Sequence, residues 1–356
     1  MHHGNREDRG IGSRQRPAVE RAPLSALKIV LTKFVVAGLA LAVPIQVVWA
    51  ASAYVAAPAT SELVAEYVRA NKPTAIIAVQ ADQTIANWGE IHRRVNLRSI
   101  RKSLLSALYG IAISEHKINL TQTLEQLGID DVSPHLTAIE KKATVRDLLM
   151  ARSGIFHAAA YETGDMRRKR PALGSHGPGS FWYYNNWDFN ALGTIYRVAT
   201  GEDIFQSFSQ RIAKPIGMEN FSANDGRYVR EASSIHPAYV FNMSARDLSL
   251  FGLLFLDGGR WHKLQIIPSA WVNESTTSYS RTDRDDRGYG YLWWTLPPED
   301  WGPNAFMASG YGGQFLIVAP SKRLIAAQTV DLQDNPRGVR AAEFLKLIEK
   351  VAAATP

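Results

Sequence analysis

The chain has 356 residues, of which 46% are hydrophobic and 21% are charged, and these proportions fit a globular protein and exclude a disordered one. The formal net charge is +7, but residues 1–33 hold seven Arg and Lys against three Asp and Glu, so +4 of it lies in that segment. The rest is close to ordinary, and we expect no nucleic-acid partner. The absence of cysteine excludes disulfides, thiolate metal sites, a cysteine nucleophile and a lipidated cysteine anchor.

The N-terminal segment has the pattern of a secretory signal. Basic residues through Lys33 precede the apolar run FVVAGLALAVPIQVVWA, and the small residues that follow offer A-x-A-like cleavage points. We therefore expect residues 1–53 to be a basic leader and the protein to be exported, to the periplasm or another extracytoplasmic site. The apolar run is 17 residues long and contains Pro44, which is short for a spanning helix. The alternative is an uncleaved anchor, with inner-membrane association through residues 25–50.

The first elements after the leader are a helix and a hairpin. SELVAEYVRANK at 61–72 has apolar residues at helical spacing and is followed by Pro73 as a stop. TAIIAVQ and QTIANWG predict two short strands separated by a polar turn. From Ser99 to about residue 255 the pattern is mostly helical, in segments that end at Gly or Asn-type residues. One of these segments, TVRDLLMA, is opened by Thr144 as an N-cap.

The end of the chain returns to strands. GYGYLWWTL, GGQFLIVAP and LIAAQTV predict an antiparallel sheet, and RGVRAAEFLKLIEKVAAA predicts a closing helix. These elements predict an α+β fold, in which an antiparallel sheet is flanked by terminal helices and a helical region is inserted in the middle. We assign residues 54–356 to one domain, with the sheet region at 54–98 and 280–356 and the helical region at 99–279.

The sequence has no motif for a metal or nucleotide cofactor and no G-x-S-x-G nucleophile elbow, so we expect no cofactor. A Ser-x-x-Lys pattern occurs at Ser25–Lys28, Ser99–Lys102 and Ser114–Lys117. A pattern found three times in one chain is weak evidence by itself. The first copy lies in the leader, and the third lies where a helical pattern ends and the helix dipole disfavours an oxyanion.

Ser99 is the copy that begins a predicted helix. At a helix N-terminus, unsatisfied N–H groups stabilise negative charge on an attacking serine oxygen and on the tetrahedral oxyanion it creates. Lys102 lies one turn later on the same face, so its amine can reach the hydroxyl and, if desolvated, take its proton. The alternative is an ordinary helix, with Ser99 as the N-cap and Lys102 in solvent.

A distant segment, FWYYNNWDFNALG at 181–193, contains Tyr-x-Asn twice in overlap, at Tyr183–Asn185 and Tyr184–Asn186. A tyrosine hydroxyl and a carboxamide just before a helix supply a second proton-transfer group and an orienting donor. The spacing alone does not decide which of the two Tyr-x-Asn copies belongs to the site.

Six segments in chain order resemble the landmarks of the serine beta-lactamase and penicillin-binding-protein-like hydrolases. They are RSIRKSLLSALYGIAISEHKINL, ATVRDLLMARSGI, YNNWDFNALG, PIGM at 215–218, SARDLSLFGLLFLDGG and ASGYGGQ at 308–314. The resemblance is to class C beta-lactamase relatives, which include DD-peptidases, esterases and 6-aminohexanoate-dimer hydrolases. It implies a beta-lactamase/transpeptidase-like fold and hydrolysis through a covalent acyl-enzyme.

Residue by residue, the resemblance makes Ser99 the acylated nucleophile and Lys102 its proton acceptor. Counting back without a gap from the helix after the Tyr-x-Asn repeat aligns the family's tyrosine with Tyr184 and its asparagine with Asn186. The resemblance then implies that Tyr184 is the general acid and base. It also implies that Asn186 holds Lys102 and the substrate amide.

The strand that would edge the site departs from the family pattern. Where these enzymes commonly have Lys-Thr-Gly or His-x-Gly, this chain has Ala308, Ser309 and Gly310. The small Ser309 and Gly310 still allow close substrate approach, and the resemblance implies an oxyanion hole from the backbone N–H groups of Ser99 and Tyr311. The cation that would meet a substrate carboxylate is absent, and losing such a charge-assisted hydrogen bond costs a few kcal/mol.

We therefore expect a small-molecule ester or linear amide substrate, because neither needs that cation. The alternatives are a beta-lactamase or D-alanyl-D-alanine carboxypeptidase, whose substrates carry carboxylates, and a catalytically silent penicillin-binding-type sensor. Three further features stay open between structure and function. The aromatic residues near the motifs fit core packing or an apolar acyl pocket, residues 167–170 fit a solvated loop or an anion-binding edge, and His157 fits a structural or a site residue.

Overall fold

The computed structural model describes residues 58–132, 134–284 and 286–355, which belong to one compact unit. The α-helices of this part of the chain are α1 (Pro58–Asn71), α2 (Arg101–Ser114), α3 (Val145–Leu149), α4 (Gly164–Lys169), α5 (Asn186–Thr200), α6 (Ile204–Phe208), α7 (Ala245–Leu256), α8 (Ser269–Ser275), α9 (Pro298–Trp301) and α10 (Ala341–Ala353). Short 3₁₀ helices cover Arg98–Ile100, Glu140–Lys142, Ala223–Asp225 and Pro320–Lys322, and a π-helical turn covers Ser209–Ala213.

The strands are β1 (Ala75–Gln80), β2 (Gln83–Gly89), β3 (Val95–Asn96), β4 (Gly226–Glu231), β5 (Ser234–Met243), β6 (Arg260–Trp261), β7 (Leu264–Gln265), β8 (Ser280–Arg281), β9 (Gly288–Tyr289), β10 (Trp294–Thr295), β11 (Phe306–Gly310), β12 (Gln314–Ala319) and β13 (Leu324–Thr329). In the described residues the main sheet has eight strands in the order β2-β1-β13-β12-β11-β10-β9-β8. Two smaller sheets have the orders β3-β5-β4 and β6-β7.

The main sheet joins the two ends of the chain. Strand β1 runs antiparallel to β13, from Ala75 opposite Thr329 to Gln80 opposite Leu324. Helices α1 and α10 pack together, and α7 packs on β12 and β13. Every residue of β12 and β13 is buried, as expected for strands in the middle of a sheet whose faces are covered. This arrangement confirms the predicted α+β fold with terminal helices and an inserted helical region.

The inserted region is organised around α2, whose residues 101–112 are all buried. Its polar positions are satisfied inside the core, because the hydroxyls of Ser103 and Ser106 donate to the carbonyls of Leu292 and Tyr291, 2.8 Å away in both cases. The Thr144 N-cap of α3 is confirmed and forms a capping box with Asp147. These bonds fix the helix that carries Lys102.

Two details of the chain differ from the sequence prediction. The hairpin of β4 and β5 lies within the stretch that we expected to be mostly helical, and GYGYLWWTL is not one strand but two, β9 and β10, joined by a turn.

The leader at 1–53 and its alternative anchor lie outside the described residues. Among the helices that the structure describes, none combines the length and apolar character needed to cross a membrane.

Candidate active site

Ser99 lies on a tight turn that leads directly into the buried helix α2. It occupies the 3₁₀ helix Arg98–Ile100, which α2 continues from Arg101. Arg98 has a φ of +53°, an unusual conformation for a residue with a side chain. Its backbone N–H donates to Asn96 Oδ1 at 2.9 Å, which holds the turn. The half-buried Ser99 is thereby placed at the positive end of a helical segment.

Lys102 lies between the two hydroxyl groups that the sequence analysis singled out. Its Nζ is 3.0 Å from Ser99 Oγ and 2.8 Å from Tyr184 OH. The lysine is 2% exposed, and burial, followed by the positive charges of Arg101 and Arg284, holds its pKa well below the ordinary lysine value. The amine is therefore suited to accept a proton from the serine.

Tyr184 is held in place by its aromatic neighbours. Its ring stacks on Trp294 at 5.3 Å between centroids and lies 5.0 Å from Phe189, with Lys102 Nζ 4.2 Å from the centroid. Burial raises the pKa of its hydroxyl, partly offset by the hydrogen bond with Ser99 and by the charges of Arg284 and Arg101. The same desolvation thus favours an uncharged amine and an uncharged phenol side by side, a base next to an acid.

The other copies of the Ser-x-x-Lys and Tyr-x-Asn motifs make different contacts. Tyr183 donates its hydroxyl to the carbonyl of Met166 at 2.6 Å, and Asn185 caps α5. Ser114 is the last residue of α2, and Lys117 is ion-paired with Glu115 and Glu202. The Ser25–Lys28 copy lies outside the described residues. The structure therefore brings together Ser99, Lys102 and Tyr184.

Asn186 lies beside this group but makes a different contact from the one that the resemblance implies. Its Nδ2 donates to the carbonyl of Tyr161 at 2.7 Å, and its buried Oδ1 has no hydrogen-bond partner among the described residues. Tyr161 also binds the turn that carries Ser99, because Arg98 Nη1 and Asn96 Nδ2 donate to its hydroxyl at 2.8 and 3.0 Å. Sequence reasoning missed Tyr161, which belongs to no motif.

Strand β11 supplies the edge of the site. Gly310 lies so close to the turn that carries Ser99 that an added Cβ would be 2.4 Å from the carbonyl oxygen of Leu97. Ser309 is half-buried, whereas the side chain of Ala308 is 1% exposed within the core. Tyr311 follows the strand with a 63% exposed side chain, and its backbone N–H makes no hydrogen bond within the described residues. The two N–H groups expected to form an oxyanion hole thus belong to neighbouring segments.

Two arginines near Lys102 were not identified from the sequence. Arg101 is 1% exposed, donates to Asn190 Oδ1 at 2.9 Å, and lies 4.4 Å from the ring centroid of Tyr239. Arg284 lies over the site, with its Cζ 5.6 Å from the centroid of Tyr184 and 5.5 Å from that of Trp294. Arg101 could have been noticed only as a charge inside an otherwise apolar helical pattern, whereas Arg284 had no sequence signal.

The remaining candidates have mainly structural contacts. His157 is buried, and its Nε2 lies 3.3 Å from Glu140 Oε1. Residues 167–170 form the last turn and C-cap of α4 and not a loop, and there Lys169 pairs with Asp165 and Arg170 with Glu162. Most of the flanking aromatic residues are core; the buried ones are Tyr183, Trp187, Tyr289, Tyr291, Trp293 and Trp294. In the described part of the chain, no group of three or more metal-ligating side chains comes together.

A cavity of about 540 Å³ adjoins Tyr184. Its walls combine aromatic rings with charged groups from the 165–184 and 281–284 segments. They are formed by Arg152, Asp165, Met166, Lys169, Pro171, Ser180, Phe181, Trp182, Tyr183, Tyr184, Arg281, Thr282, Asp283 and Arg284.

Comparison with known proteins gives one consistent family. The beta-lactamase family model matches residues 60–350. A Bacillus anthracis protein provisionally named as a 6-aminohexanoate-dimer hydrolase has a TM-score of 0.63 at 20% identity, with 82% of this chain and 80% of that chain covered. A penicillin-binding protein homologue from Caulobacter crescentus has a TM-score of 0.61 at 15% identity, with 84% and 98% covered. A beta-lactamase from Mycobacterium bovis has a TM-score of 0.58 at 18% identity, with 83% and 97% covered. A search of curated proteins found no match.

Proposed function

The chain belongs to the beta-lactamase family, and on that premise we propose that it hydrolyses an ester or a linear amide through an acyl-enzyme on Ser99. Members of this family are serine hydrolases, and the chain is a hydrolase of that class. The observation that carries the assignment of residues is the position of the buried Lys102 Nζ, within 3.0 Å of Ser99 Oγ and 2.8 Å of Tyr184 OH.

The proposed acylation begins when Ser99 Oγ forms a bond to the substrate carbonyl carbon and its proton passes to the neutral amine of Lys102. The backbone N–H groups of Ser99 and Tyr311 receive the oxyanion. When the tetrahedral intermediate collapses, the ester C–O or amide C–N bond breaks. Tyr184 gives the leaving group a proton and takes one from the Lys102 ammonium, so that both groups return to their starting states.

Deacylation uses the same groups in the opposite direction. A water molecule loses a proton to the Tyr184 and Lys102 pair and attacks the acyl carbon. The bond to Ser99 Oγ then breaks, the serine regains its proton, and the acid product departs. A pair held uncharged by burial can accept and return one proton in each half-reaction without leaving a net charge in the site.

The strand edge supports the preference for esters and linear amides over beta-lactams and stem peptides. Beta-lactams and stem peptides carry carboxylates, and Ala308 on β11 offers no cation to meet one. The 1% exposure of Ala308 also means that a longer side chain there would first have to displace core atoms. Restoring a lysine at this position is therefore not a simple test of specificity.

We propose in addition that the protein works outside the cytoplasm, on the strength of the basic and apolar leader. The N-terminal residue of the mature protein tests this. A start between residues 51 and 54 would support a cleaved signal, and an intact Met1 in a membrane fraction would support the anchor instead.

Labelling of the full chain with a serine-directed fluorophosphonate, followed by intact and peptide mass spectrometry, tests the enzyme assignment. We expect one label on Ser99, lost in Ser99→Ala and Lys102→Ala. The matched controls are Ser114→Ala and Lys117→Ala, which alter the other Ser-x-x-Lys pattern of the domain and should label normally. Absence of label in folded wild-type protein would favour the silent sensor.

A substrate panel separates the enzymatic alternatives. Short-chain p-nitrophenyl esters, nitrocefin and a D-Ala-D-Ala peptide are compared by kcat/KM at one pH. We expect the esters to be turned over fastest. Turnover of nitrocefin or of the peptide far above the esters would replace the proposed substrate class with a beta-lactamase or a carboxypeptidase.

A further inference from the structure

The cavity beside Tyr184 contains more positive than negative charge. Its lining includes Arg152, Lys169, Arg281 and Arg284 against Asp165 and Asp283. A partly enclosed site with such an excess attracts anionic groups, and its low-dielectric walls strengthen that attraction.

Two of these cations are already engaged by the protein. Arg152 donates through Nε and Nη2 to the carbonyl oxygen of Gly179, at 2.9 and 2.6 Å, and through Nη1 to Ser280 Oγ. Lys169 Nζ lies 3.4 Å from Asp165 Oδ2 and 3.9 Å from Asp283 Oδ2. Neither needs a ligand to complete its contacts.

Arg284 is placed differently, because it projects over aromatic rings. Its nearest carboxylate oxygen in the described residues belongs to Asp283, 3.9 Å from Nε, which is too long for a hydrogen bond. Below it lie the rings of Tyr184 and Trp294, within 5.6 Å of its Cζ. Stacking on rings holds a guanidinium in orientation but does not use its N–H donors.

We propose that Arg284 binds a carboxylate of the substrate, so that the enzyme prefers esters or amides bearing a carboxylate near the reacting bond. This inference rests on the proposed hydrolase function. A planar guanidinium with free donors pairs with a carboxylate through two parallel hydrogen bonds. A carboxylate bound by Arg284 would lie beside Tyr184 at the 281–284 segment, and not on β11, where Ala308 replaces the cation that the family commonly has.

The position of Arg284 ties binding to reactivity. Its charge is among the influences that lower the pKa of Lys102 and of Tyr184. A carboxylate on Arg284 would partly neutralise that charge, so the anionic group and the catalytic pair are electrostatically linked. Because kcat/KM for both substrates of a pair refers to the same free enzyme, their ratio cancels the effect of a substitution on the pKa of Lys102 in that enzyme.

The test compares matched pairs of substrates that differ in one charge. On the acyl side, mono-4-nitrophenyl succinate and glutarate are compared with 4-nitrophenyl butyrate and pentanoate. On the leaving-group side, 4-acetoxybenzoate is compared with its methyl ester. In the wild-type full chain we expect the charged member of at least one pair to have the higher kcat/KM.

The assignment to Arg284 is tested with variants of it and of a neighbouring arginine. In Arg284→Gln the charged-to-neutral ratio should fall about 10-fold or more, as expected for loss of a hydrogen bond to a charged group. Arg281→Gln removes the same charge from the same cavity and should lower the ratio by much less. Arg284→Lys keeps the positive charge but loses the planar guanidinium with its two parallel donors, so its charged-to-neutral ratio should lie between those of the wild type and Arg284→Gln.

The outcomes separate this inference from the proposed function. A wild type that hydrolyses every neutral ester faster than its charged partner would overturn the carboxylate site while leaving the hydrolase assignment intact. An equal fall in Arg281→Gln and Arg284→Gln would also overturn it, because the preference would then come from the general charge of the cavity. If no ester is hydrolysed and Ser99 takes no fluorophosphonate label, the proposed function itself fails.

Discussion

Replacing Gly310 by alanine tests how closely strand β11 must approach the turn that carries Ser99. The added Cβ would lie 2.4 Å from Leu97 O, 2.9 Å from Gln314 Cβ and 3.2 Å from Arg98 Cβ. Ordinary contacts begin near 3.4 Å, so the strand and the Leu97 carbonyl would have to separate by about 1 Å (3.4 − 2.4). The next residue but one after Leu97 is Ser99, and the residue after Gly310 is Tyr311, so the separation widens the space between the nucleophile and the proposed oxyanion donor.

A misplacement of about 1 Å in a catalytic group costs on the order of 100-fold in rate. We therefore expect Gly310→Ala to lower kcat/KM for a neutral p-nitrophenyl ester by about that factor. Overpacking of this kind costs about 1–3 kcal/mol in the free energy of unfolding, which urea denaturation measures in parallel. The rate of fluorophosphonate labelling of Ser99 should fall with kcat/KM, since in both reactions Ser99 Oγ attacks an electrophilic centre whose oxygen gains negative charge that the same N–H donors stabilise.

The matched control is Gly177→Ala. An added Cβ at Gly177 meets no atom within 4 Å, and this glycine does not have a positive φ. It should change neither activity nor stability measurably. A folded Gly310→Ala enzyme with activity within about threefold of wild type would refute the argument that this close approach positions the reacting groups.

Two further predictions concern the proton-transfer groups. Because a nearby positive charge disfavours the ammonium form of Lys102, Arg101→Met should raise the pKa of Lys102 and move the acidic limb of the kcat/KM profile to higher pH; a limb that stays in place would contradict the electrostatic role of Arg101. Tyr184→Phe keeps the ring but removes the hydroxyl, so kcat/KM for an ester should fall by about 100-fold or more with little change in urea denaturation. Its control, Tyr183→Phe, removes a hydroxyl that binds the Met166 carbonyl, and a loss of activity as large as that of Tyr184→Phe would contradict the assignment.

The parts of the fold that were predictable from sequence depend on short-range signals. The N-cap Thr144 lies next to the helix that it begins, and β1 and β2 are joined by a two-residue turn. Strand β5 was missed because nine of its ten residues are not exposed, so it lacks the alternation that marks a strand with one solvated face. Burial on both faces is a tertiary property, and no local pattern encodes it.

The interruption of the strand predicted for GYGYLWWTL has a different cause from the failure to predict β5. Between β9 and β10, Leu292 adopts a φ of +67°, and an added Cβ on Gly290 would lie 2.4 Å from the carbonyl oxygen of Ser275. The backbone therefore turns away from the sheet to pass close to another segment. The aromatic and β-branched character of GYGYLWWTL favours a strand throughout, and only the tertiary contact explains the interruption.

The candidate site was predictable to the extent that its groups lie in motifs. Ser99 and Lys102 are one helical turn apart, and the family resemblance aligns Tyr184. The contacts of Tyr161 and Arg284 could not be found in this way, because each acts on residues distant in sequence. Arg101 is next to Lys102 in the sequence, but its burial against Asn190 and Tyr239 is a tertiary property. Such residues set the orientation of the turn and the charge around Lys102, and sequence spacing carries no information about either.

The joining of β1 to β13 also has a consequence for synthesis of the protein. The turn that carries Ser99 is synthesised early and strands β11 to β13 are synthesised late. Almost the whole domain must therefore be synthesised before the main sheet can form. The entropy of closing so long a loop grows only with the logarithm of its length, and the penalty therefore falls more on folding rate than on stability. A nascent chain that stops before β11 contains Ser99, Lys102 and Tyr184 but lacks the strand against which they are arranged. If Ser99 acts as proposed, synthesis of β11 must therefore precede its activity.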